Sequence, residues 1–402
     1  MRLFLLPARI GLLIPLLFWG TLGTRAWGNW PMWRGPAATG AAGQANPPLR
    51  WSETENIKWK VKVPGEGSSS PVIWGDKIFF QTAVKKEVSS AAGGDPYAPQ
   101  PESAQGKFPM YQFDVVCLDR RTGKLLWQKT ACEAVPHEGH HADGNFASFS
   151  PVTDGEKVWA NFGSWGVHCY DVEGNHQWSR DLGILKIHNA FGEGSSPALA
   201  GEALVVVMDS QENSRIYALH KDTGEILWEK KRDEPTSWST PVTVEVDGKM
   251  QVIVNAVQRV RSYDAATGEV IWECGGQTRN VIPSPVVGFG MVFCTSGFRG
   301  SKLQGIELGH TGDLTGTAAV LWEIDKYAPY VPSPVLYGEK IYVCSGNKAS
   351  VSCYEARTGR MIFEKEPLEG LNEIYASPVG AADRIYFVGR DGKTAVVRYG
   401  DT

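Results

Sequence analysis

The amino-acid sequence predicts an all-β fold, a β-propeller of seven blades with four antiparallel strands in each. A Ser/Thr-Pro-Val/Ala tripeptide recurs along the chain, and its prolines are separated by 80, 46, 44, 44, 49 and 44 residues. A turn, usually Thr-Gly, and then an aromatic residue follow most tripeptides. Short apolar runs rich in β-branched and aromatic residues lie between the turns, without helical periodicity. Repeats of this length are typical of propeller blades.

Residues 1–26 are predicted to be a secretory signal peptide. Arg2 and Arg9 precede an apolar stretch at 10–23. The small residues Thr24 and Ala26 follow it at positions suited to cleavage. This stretch of 14 residues is shorter than the roughly 20 that a spanning helix needs. An uncleaved anchor is the alternative. Residues 27–50 then form a leader, and residues 51–402 form a single propeller domain.

No later stretch is apolar and long enough to span a bilayer. We expect the chain to be exported to the periplasm or the extracellular space, and to be a monomer. Lys and Arg number 40 and Asp and Glu number 44, which gives a formal net charge of −4. This balance offers no excess of cations for a phosphate backbone, so nucleic acid is not an expected partner.

The aromatic residue of each unit is predicted to pack against the turn of a neighbouring blade. These residues are Trp59, Trp127, Trp178, Trp228, Trp272, Trp322 and Phe363. The last unit, from Ser377, has room for only three strands, so the segment 56–61 with Trp59 is predicted to add the fourth and close the ring. An incomplete ring is the alternative. Eight blades would require one hidden within residues 84–113, where the Pro-rich stretch 84–110 predicts a flexible insertion.

Residues near the tripeptides are predicted to surround the mouth of the central channel, where propellers commonly bind ligands. They are Asn145, Glu193, Trp238, Arg279, Asn280, Tyr330 and Tyr375, joined by Arg299 and Arg390 on nearby turns. Aromatic rings, guanidinium groups, amides and a carboxylate suit a polar, planar or anionic ligand. The alternative is that these side chains cap strands and fill the channel. His188 and Glu193 are the candidates for a general acid–base pair.

Two further groups of residues are candidates for other chemistry. His137, His140 and His141 could bind a transition metal, but adjacent histidines on an extended chain point apart, so a solvated loop is expected and no metal is predicted. The seven cysteines occupy mostly repeat-equivalent positions, which favours buried packing. A disulfide between Cys344 and Cys353 is an alternative.

The repeat resembles the pyrroloquinoline-quinone-like, or quinoprotein-type, propeller repeat. The resemblance rests on segments such as LHKDTGEILW at 219–228 and YDAATGEVIW at 263–272, and it covers about residues 51–402. The segment WPMWRGP at 30–36 is similar to the leader of such propellers in exported bacterial, planctomycete-like proteins. Two branches share the repeat: quinoprotein alcohol dehydrogenases and the propeller lipoprotein of the outer-membrane β-barrel assembly machinery.

The chain departs from both branches. The dehydrogenases carry an adjacent pair of cysteines over the cofactor, and here no two cysteines are adjacent. No cofactor is therefore predicted, and pyrroloquinoline quinone with Ca²⁺ is the alternative. The lipoprotein needs an acylated cysteine just after its signal, whereas the first cysteine here is Cys117.

We therefore expect a binding or scaffold module rather than an enzyme, engaging a periplasmic protein or a carbohydrate-like ligand at the channel mouth. A quinone-dependent oxidoreductase with its cofactor in the channel is one alternative. A hydrolase or lyase at the channel mouth is another, because propellers carry unrelated functions on the same frame.

Overall fold

The computed structural model describes residues 28–86, 108–345 and 349–400. These residues form seven sheets in chain order, with β-strands and two short 3₁₀ turns at Gly163–Trp165 and His188–Ala190. The all-β prediction with four-stranded antiparallel sheets is confirmed. The predicted signal peptide and most of the predicted insertion lie outside the described residues.

The first three sheets have four strands each. Sheet 1 contains β1 (Val72–Trp74), β2 (Lys77–Lys85), β3 (Tyr111–Asp119) and β4 (Leu125–Ala134); sheet 2 contains β5 (Val152–Thr153), β6 (Lys157–Asn161), β7 (Val167–Asp171) and β8 (His176–Arg180); sheet 3 contains β9 (Ala198–Ala200), β10 (Ala203–Met208), β11 (Arg215–His220) and β12 (Ile226–Lys231). Strands β2 and β3 pair from Lys77–Asp119 to Lys85–Tyr111, so the described ends of the predicted insertion belong to a regular hairpin.

The remaining sheets vary more at their outer edges. Sheet 4 contains β13 (Val242–Val246), β14 (Lys249–Val254), β15 (Val260–Asp264) and β16 (Val270–Cys274); sheet 5 contains β17 (Val286–Gly288), β18 (Met291–Ser296), β19 (Lys302–Glu307) and β21 (Val320–Ile324); sheet 6 contains β22 (Val335–Tyr337), β23 (Lys340–Ser345), β24 (Ser350–Glu355) and β25 (Met361–Pro367); sheet 7 contains β26 (Val379–Ala381), β27 (Arg384–Val388) and β28 (Thr394–Arg398). The short strand β20 (Gly312–Asp313) adds to sheet 4 in parallel beside β16.

The tripeptides link consecutive sheets through one repeated hydrogen bond. The N–H of Ser70 donates to the Ser150 hydroxyl oxygen at 2.9 Å, and Ser150 N–H donates to Ser196 at 2.8 Å. The same bond recurs through Thr240 and Ser284 to the last link, from Ser333 N–H to Ser377 at 2.9 Å. Each proline lacks an N–H and precedes the first strand, so it loses no ladder bond there. The tripeptide therefore arranges the sheets around a common centre.

Residues 30–47 of the leader run through that centre. Trp30 pairs with Ile73 of sheet 1, and Gly40 accepts the N–H of Gly380 of sheet 7 at 2.9 Å. Arg34 is buried, and its guanidinium donates to the carbonyls of two tripeptide prolines, Pro334 at 2.8 Å and Pro378 at 2.7 Å. The sequence placed the leader outside the propeller domain. In the structure, residues 30–47 contact sheets 1, 6 and 7, and their backbone and side chains satisfy polar groups that the ring leaves open.

At five positions a tryptophan packs on the turn of a neighbouring sheet. The indole ring of Trp178, for example, covers Gly224 of the next sheet, where a Cβ would lie 2.5 Å from the ring. Its N–H donates to the carbonyl of Lys221 at 2.9 Å. The same contact is made by Trp59, Trp127, Trp228 and Trp322 on Gly123, Gly174, Gly268 and Gly359. Glycine at a positive φ there leaves room for the ring.

Trp272 and Phe363 depart from this pattern. The connection between β19 and β21 has no turn of the usual type, and it folds back as β20 against β16. Trp272 pairs with Gly312 in this parallel bridge and is fully buried. Phe363 packs against Tyr342 of its own sheet with ring centroids 6.3 Å apart.

The predicted closing strand is not formed. Residues 56–63 belong to no strand, and sheet 7 has three strands. An open cavity of about 1060 Å³ lies between residues 49–60 and the turn before β28. Trp59 still packs on Gly123 of sheet 1, in the same way as the tryptophans of the other units. The segment around it does not pair with β28. The leader bridges sheets 1 and 7 instead.

The cysteines lie mostly in buried packing positions, as predicted. Cys117, Cys169, Cys274, Cys294 and Cys344 are buried free thiols. The strand register sets Cys344 opposite Val351 and Cys353 opposite Tyr342, so these two cysteines do not face each other. The alternative of a disulfide between them is therefore wrong. In the described part of the chain, no helix is long and apolar enough to cross a membrane.

Candidate functional site

A cavity of about 500 Å³ lies at the mouth of the ring, where the tripeptides of sheets 2 to 7 meet. Cavities of this size commonly hold small ligands. Hydroxyl groups and aromatic rings make up most of its wall, which also includes His141, Asp143 and Glu193. The hydroxyls are Ser68, Ser148, Ser150, Ser196, Thr240, Ser284, Ser333 and Ser377, and the rings are Trp33, Phe191, Trp238, Phe298, Tyr330 and Tyr375.

The tripeptide hydroxyls keep a donor available to the cavity. The oxygen atoms of Ser150, Ser196, Thr240, Ser333 and Ser377 each accept one backbone N–H at 2.8–3.0 Å. Within the described ranges, none of these five hydroxyls donates to a protein acceptor. A serine or threonine hydroxyl has one hydrogen to donate and two lone pairs. The ring of hydroxyls can therefore donate to oxygen atoms of a ligand.

The aromatic rings are held by bonds at their polar ends or by stacking. The indole N–H of Trp33 donates to the Ser284 hydroxyl at 3.0 Å, and that of Trp238 donates to the carbonyl of Gly192 at 2.7 Å. Phe298 and Tyr330 stack with centroids 4.9 Å apart and planes at 28°. These contacts hold flat apolar surfaces around the hydroxyl ring.

An ion pair crosses the rim of the cavity. Asp143, on the loop between sheets 1 and 2, accepts hydrogen bonds from Arg390 of sheet 7 and from the Tyr375 hydroxyl, the latter at 3.4 Å. Arg390 also donates to Glu373 at 2.8 Å, and its guanidinium carbon lies 4.6 Å from the centre of the Tyr375 ring. The rim therefore joins sheet 7 to the loop before sheet 2.

Glu193 is a buried carboxyl in the cavity wall. Its Oε2 accepts the N–H of Ser164 at 2.8 Å, and its Oε1 accepts the Ser164 hydroxyl at 2.6 Å. Burial raises the pKa of Glu193 to about 7, and the hydrogen bonds from Ser164 oppose that rise. The carboxyl is therefore partly protonated near neutral pH.

Four of the predicted mouth residues line the cavity: Glu193, Trp238, Tyr330 and Tyr375. Asn145 lies beside it, where its amide donates to the Ser68 hydroxyl at 2.7 Å. Arg390 is at the rim through Asp143 and Tyr375.

Arg279, Asn280 and Arg299 do not line the cavity. Arg279 is exposed and its backbone bridges Phe298, and Asn280 follows it with a φ of 52°. The Arg299 guanidinium lies over the Phe298 ring, 5.5 Å from its centre. Arg279 and Arg299 therefore contact the aromatic wall at Phe298 without being part of the lining.

The candidate acid–base pair and the histidine cluster are separated by their own contacts. His188 Nε2 lies 3.2 Å from the Asn189 amide, and no hydrogen bond joins it to Glu193 in the described structure. His137 bonds the carbonyl of Leu185, and His140 bonds the carbonyl of His141. Within residues 28–86, 108–345 and 349–400, no group of three or more His, Cys, Asp or Glu side chains could hold a metal ion.

The described lining of the cavity lacks basic side chains that would pair with pyrroloquinoline quinone. The cofactor is a tricarboxylate, and it would need cations or a metal ion around it. The described lining contains no lysine or arginine, and its carboxylates are Asp143 and Glu193.

The sequence did not predict several of the residues that line the cavity. Trp33 belongs to the WPMWRGP segment, which marked the leader without placing it in the ring. The tripeptides are predicted only as structural parts of the repeat, so the sequence does not predict their hydroxyls at the cavity. Phe191 and Phe298 are not in register with any repeat signal, so only the fold brings them to the mouth.

Solved structures of similar shape are propellers. The quinohemoprotein alcohol dehydrogenase from Comamonas testosteroni is 13% identical with a TM-score of 0.52, covering 90% of this chain and 76% of that one. The quinohemoprotein alcohol dehydrogenase ADHIIG from Pseudomonas putida HK5 is 13% identical with a TM-score of 0.50, covering 79% and 62%. BamB from Moraxella catarrhalis is 16% identical with a TM-score of 0.48, covering 72% and 79%.

At such identities, the likeness to the two dehydrogenases shows the fold alone. No curated protein matches the sequence. A sequence model of one protein family does match, over residues 112–365, which is more than half of the chain. The protein thus belongs to the propeller-repeat family described as outer membrane protein assembly factor BamB.

Proposed function

We propose that the protein is an exported, non-catalytic binding protein whose central cavity holds a carbohydrate-like ligand. The observation that carries the proposal is the ring of donor hydroxyls enclosed by aromatic faces. Sugars present oxygen atoms around the edge of a ring and C–H groups on its faces. Hydroxyl donors suit the first of these features, and aromatic faces suit the second.

Export is supported by the charged, apolar and small-residue order of residues 1–26. A periplasmic location is supported by the family, whose description names an outer-membrane assembly factor. The proposal therefore places the cavity where glycans of the envelope or of the medium are accessible.

A second candidate function, protein binding, is favoured by exposed apolar residues on the outer strands. Leu125 and Leu126 precede Trp127 and are 56% and 48% exposed, and Ile226 and Leu227 precede Trp228 at 44% and 49%. Exposed apolar surface that recurs on the rim of a ring is typical of contact with another protein. This surface lies on the outer strands, apart from the cavity, so the two functions are compatible.

The test of the cavity is a binding titration of the mature protein with a panel of soluble oligosaccharides. Trp238→Ala should weaken binding about tenfold or more, because a stacking face is lost. The matched control is Trp51→Ala, which removes a tryptophan that is 37% exposed and outside this cavity. The proposal fails if the folded wild-type protein binds no member of the panel, or if both variants weaken binding equally.

A further inference from the structure

We propose that the cavity selects neutral saccharides over acidic ones, and that Asp143 sets this selectivity. This inference rests on the proposed function and names the ligand class for the same site. It concerns charge, since hydroxyl donors and aromatic faces alone would accept sugars of either kind.

The charges in the wall favour an uncharged ligand. The described lining contains the acidic side chains Asp143 and Glu193 and the imidazole of His141, and no lysine or arginine. A uronate or a sulfated sugar would bring a further negative charge into a partly enclosed space. Charges interact more strongly there than in open water. A neutral sugar meets no such repulsion.

The guanidinium of Arg390, at the rim, does not offset these charges. Arg390 is bound by two carboxylates, those of Asp143 and Glu373. One guanidinium and two carboxylates sum to a net charge of −1, and the His141 imidazole lies beside them, with Nδ1 3.5 Å from Asp143 Oδ2. Asp143 lines the cavity together with Tyr375, whereas Arg390 and Glu373 do not, so the Asp143 carboxylate is the charge of this group that a bound ligand would contact.

The hydroxyl ring explains why a neutral sugar still binds. Its five available hydrogens can meet ether and hydroxyl oxygens, which are the acceptors every sugar has. Glu193 is buried, with 8% of its surface exposed, whereas the Asp143 side chain is 28% exposed and therefore more open to a ligand. Asp143 therefore becomes the discriminating group.

The experiment compares a neutral oligosaccharide with its uronate-containing counterpart, using the full mature chain. The wild-type protein should bind the neutral sugar at least about tenfold more tightly. Asp143→Asn should reduce this ratio severalfold by strengthening uronate binding, with neutral binding changed less than about twofold.

Two further variants separate charge at the rim from loss of structure. Glu373→Gln removes the other partner of Arg390 without touching the wall, and it should move the ratio in the same direction as Asp143→Asn. Asp325→Asn makes the same change in net charge at a site that is 74% exposed and bonded to Lys302, and it should leave the ratio unchanged.

The outcomes distinguish this inference from the proposed function. If the wild-type protein binds both sugars equally, or prefers the uronate, the inference is overturned and the binding function stands. If Asp143→Asn and Glu373→Gln bind the neutral sugar normally and the ratio does not move, Asp143 is not the selecting group. If the wild-type protein binds neither sugar nor any panel member, the proposed function itself fails.

Discussion

Glu193 shows how one side chain is defined by its immediate neighbours. Its carboxyl is held by Ser164, and the backbone turn that presents Ser164 depends on Gly163, whose φ is 60°. A Cβ on Gly163 would lie 1.7 Å from Glu193 Oε2. The glycine is therefore required for space as well as for backbone conformation, and the carboxyl is held out of water with no lysine or arginine bonded to it in the described structure.

The raised pKa of Glu193 predicts a pH dependence of stability. The folded state binds the proton more tightly than the unfolded state, whose carboxyl has an ordinary pKa of 4.5. Glu193 therefore favours folding below pH 4.5, and that contribution is lost as the pH rises to about 7. The full effect is roughly 3 kcal/mol. Glu193→Gln lacks this contribution. As the pH rises from 4.5 to about 7, the stability of the variant should therefore increase relative to that of wild type.

The measurement is urea unfolding at pH values from 4.5 to 8, for wild type and Glu193→Gln. Glu234, whose pKa is also raised to about 7 by burial, keeps a similar slope in both proteins, so the difference between the curves isolates Glu193. Glu202→Gln, at a side chain that is 70% exposed, is the control and should run parallel to wild type. Parallel curves for Glu193→Gln would contradict the prediction.

At the scale of elements, the outer strand of one sheet is joined to the turn of the next by a tryptophan. Trp178 extends from β8 onto the turn between β11 and β12, with its ring over Gly224 and its N–H on Lys221. The contact combines burial of a large apolar surface with one directed hydrogen bond. Because this tryptophan–turn contact recurs between neighbouring sheets, it supplies much of the stabilising packing between them.

Trp178→Ala should lower the free energy of unfolding by about 3–5 kcal/mol, the usual cost of emptying a large aromatic site. Trp178→Phe keeps part of the ring contact and loses the N–H donor to Lys221, so its cost should be clearly smaller. Chemical denaturation followed by circular dichroism measures both. Equal losses of unfolding free energy in the two variants would mean that the hydrogen bond to Lys221, rather than the ring contact, stabilises the packing between the sheets.

At the scale of the whole molecule, the leader compensates for an incomplete ring. Sheet 7 has three strands, and the chain of hydroxyl bonds that links the other sheets has no bond from Ser377 to Ser70 within the described structure. Arg34 spans the tripeptides of sheets 6 and 7 from inside the ring. Its burial lowers the pKa of the guanidinium to about 9, which is the cost of placing a cation among carbonyls alone.

Arg34→Ala should destabilise the protein by about 3 kcal/mol or more, because it leaves two buried carbonyls unpaired and opens a cavity. The effect should concentrate at sheet 7. Hydrogen exchange should therefore speed up more in residues 379–398 than in sheet 3. Arg50→Ala, at an exposed leader residue, is the control and should change neither. A uniform increase in exchange across all sheets would contradict a local role for Arg34.

The repeat determined much of this structure directly from the sequence. The tripeptides and the turns with their tryptophans predict strands, their antiparallel order and the contacts of Trp127, Trp178 and Trp228, because these features depend on residues near one another in the chain or on a fixed repeat. The residues before the tripeptides also predicted the mouth, and Glu193, Trp238, Tyr330 and Tyr375 lie there.

Only the tertiary structure decided the rest, because it depends on parts of the chain that no repeat relates. The leader carries Trp33 and Arg34 into the centre of the ring, hundreds of residues from their partners in sheets 5 to 7. Arg279 and Arg299 share the loops of the mouth, yet their side chains lie outside its lining, while Asp143 reaches Arg390 across the rim. Charge at the site follows from these long-range placements, and so does the kind of ligand the cavity can hold.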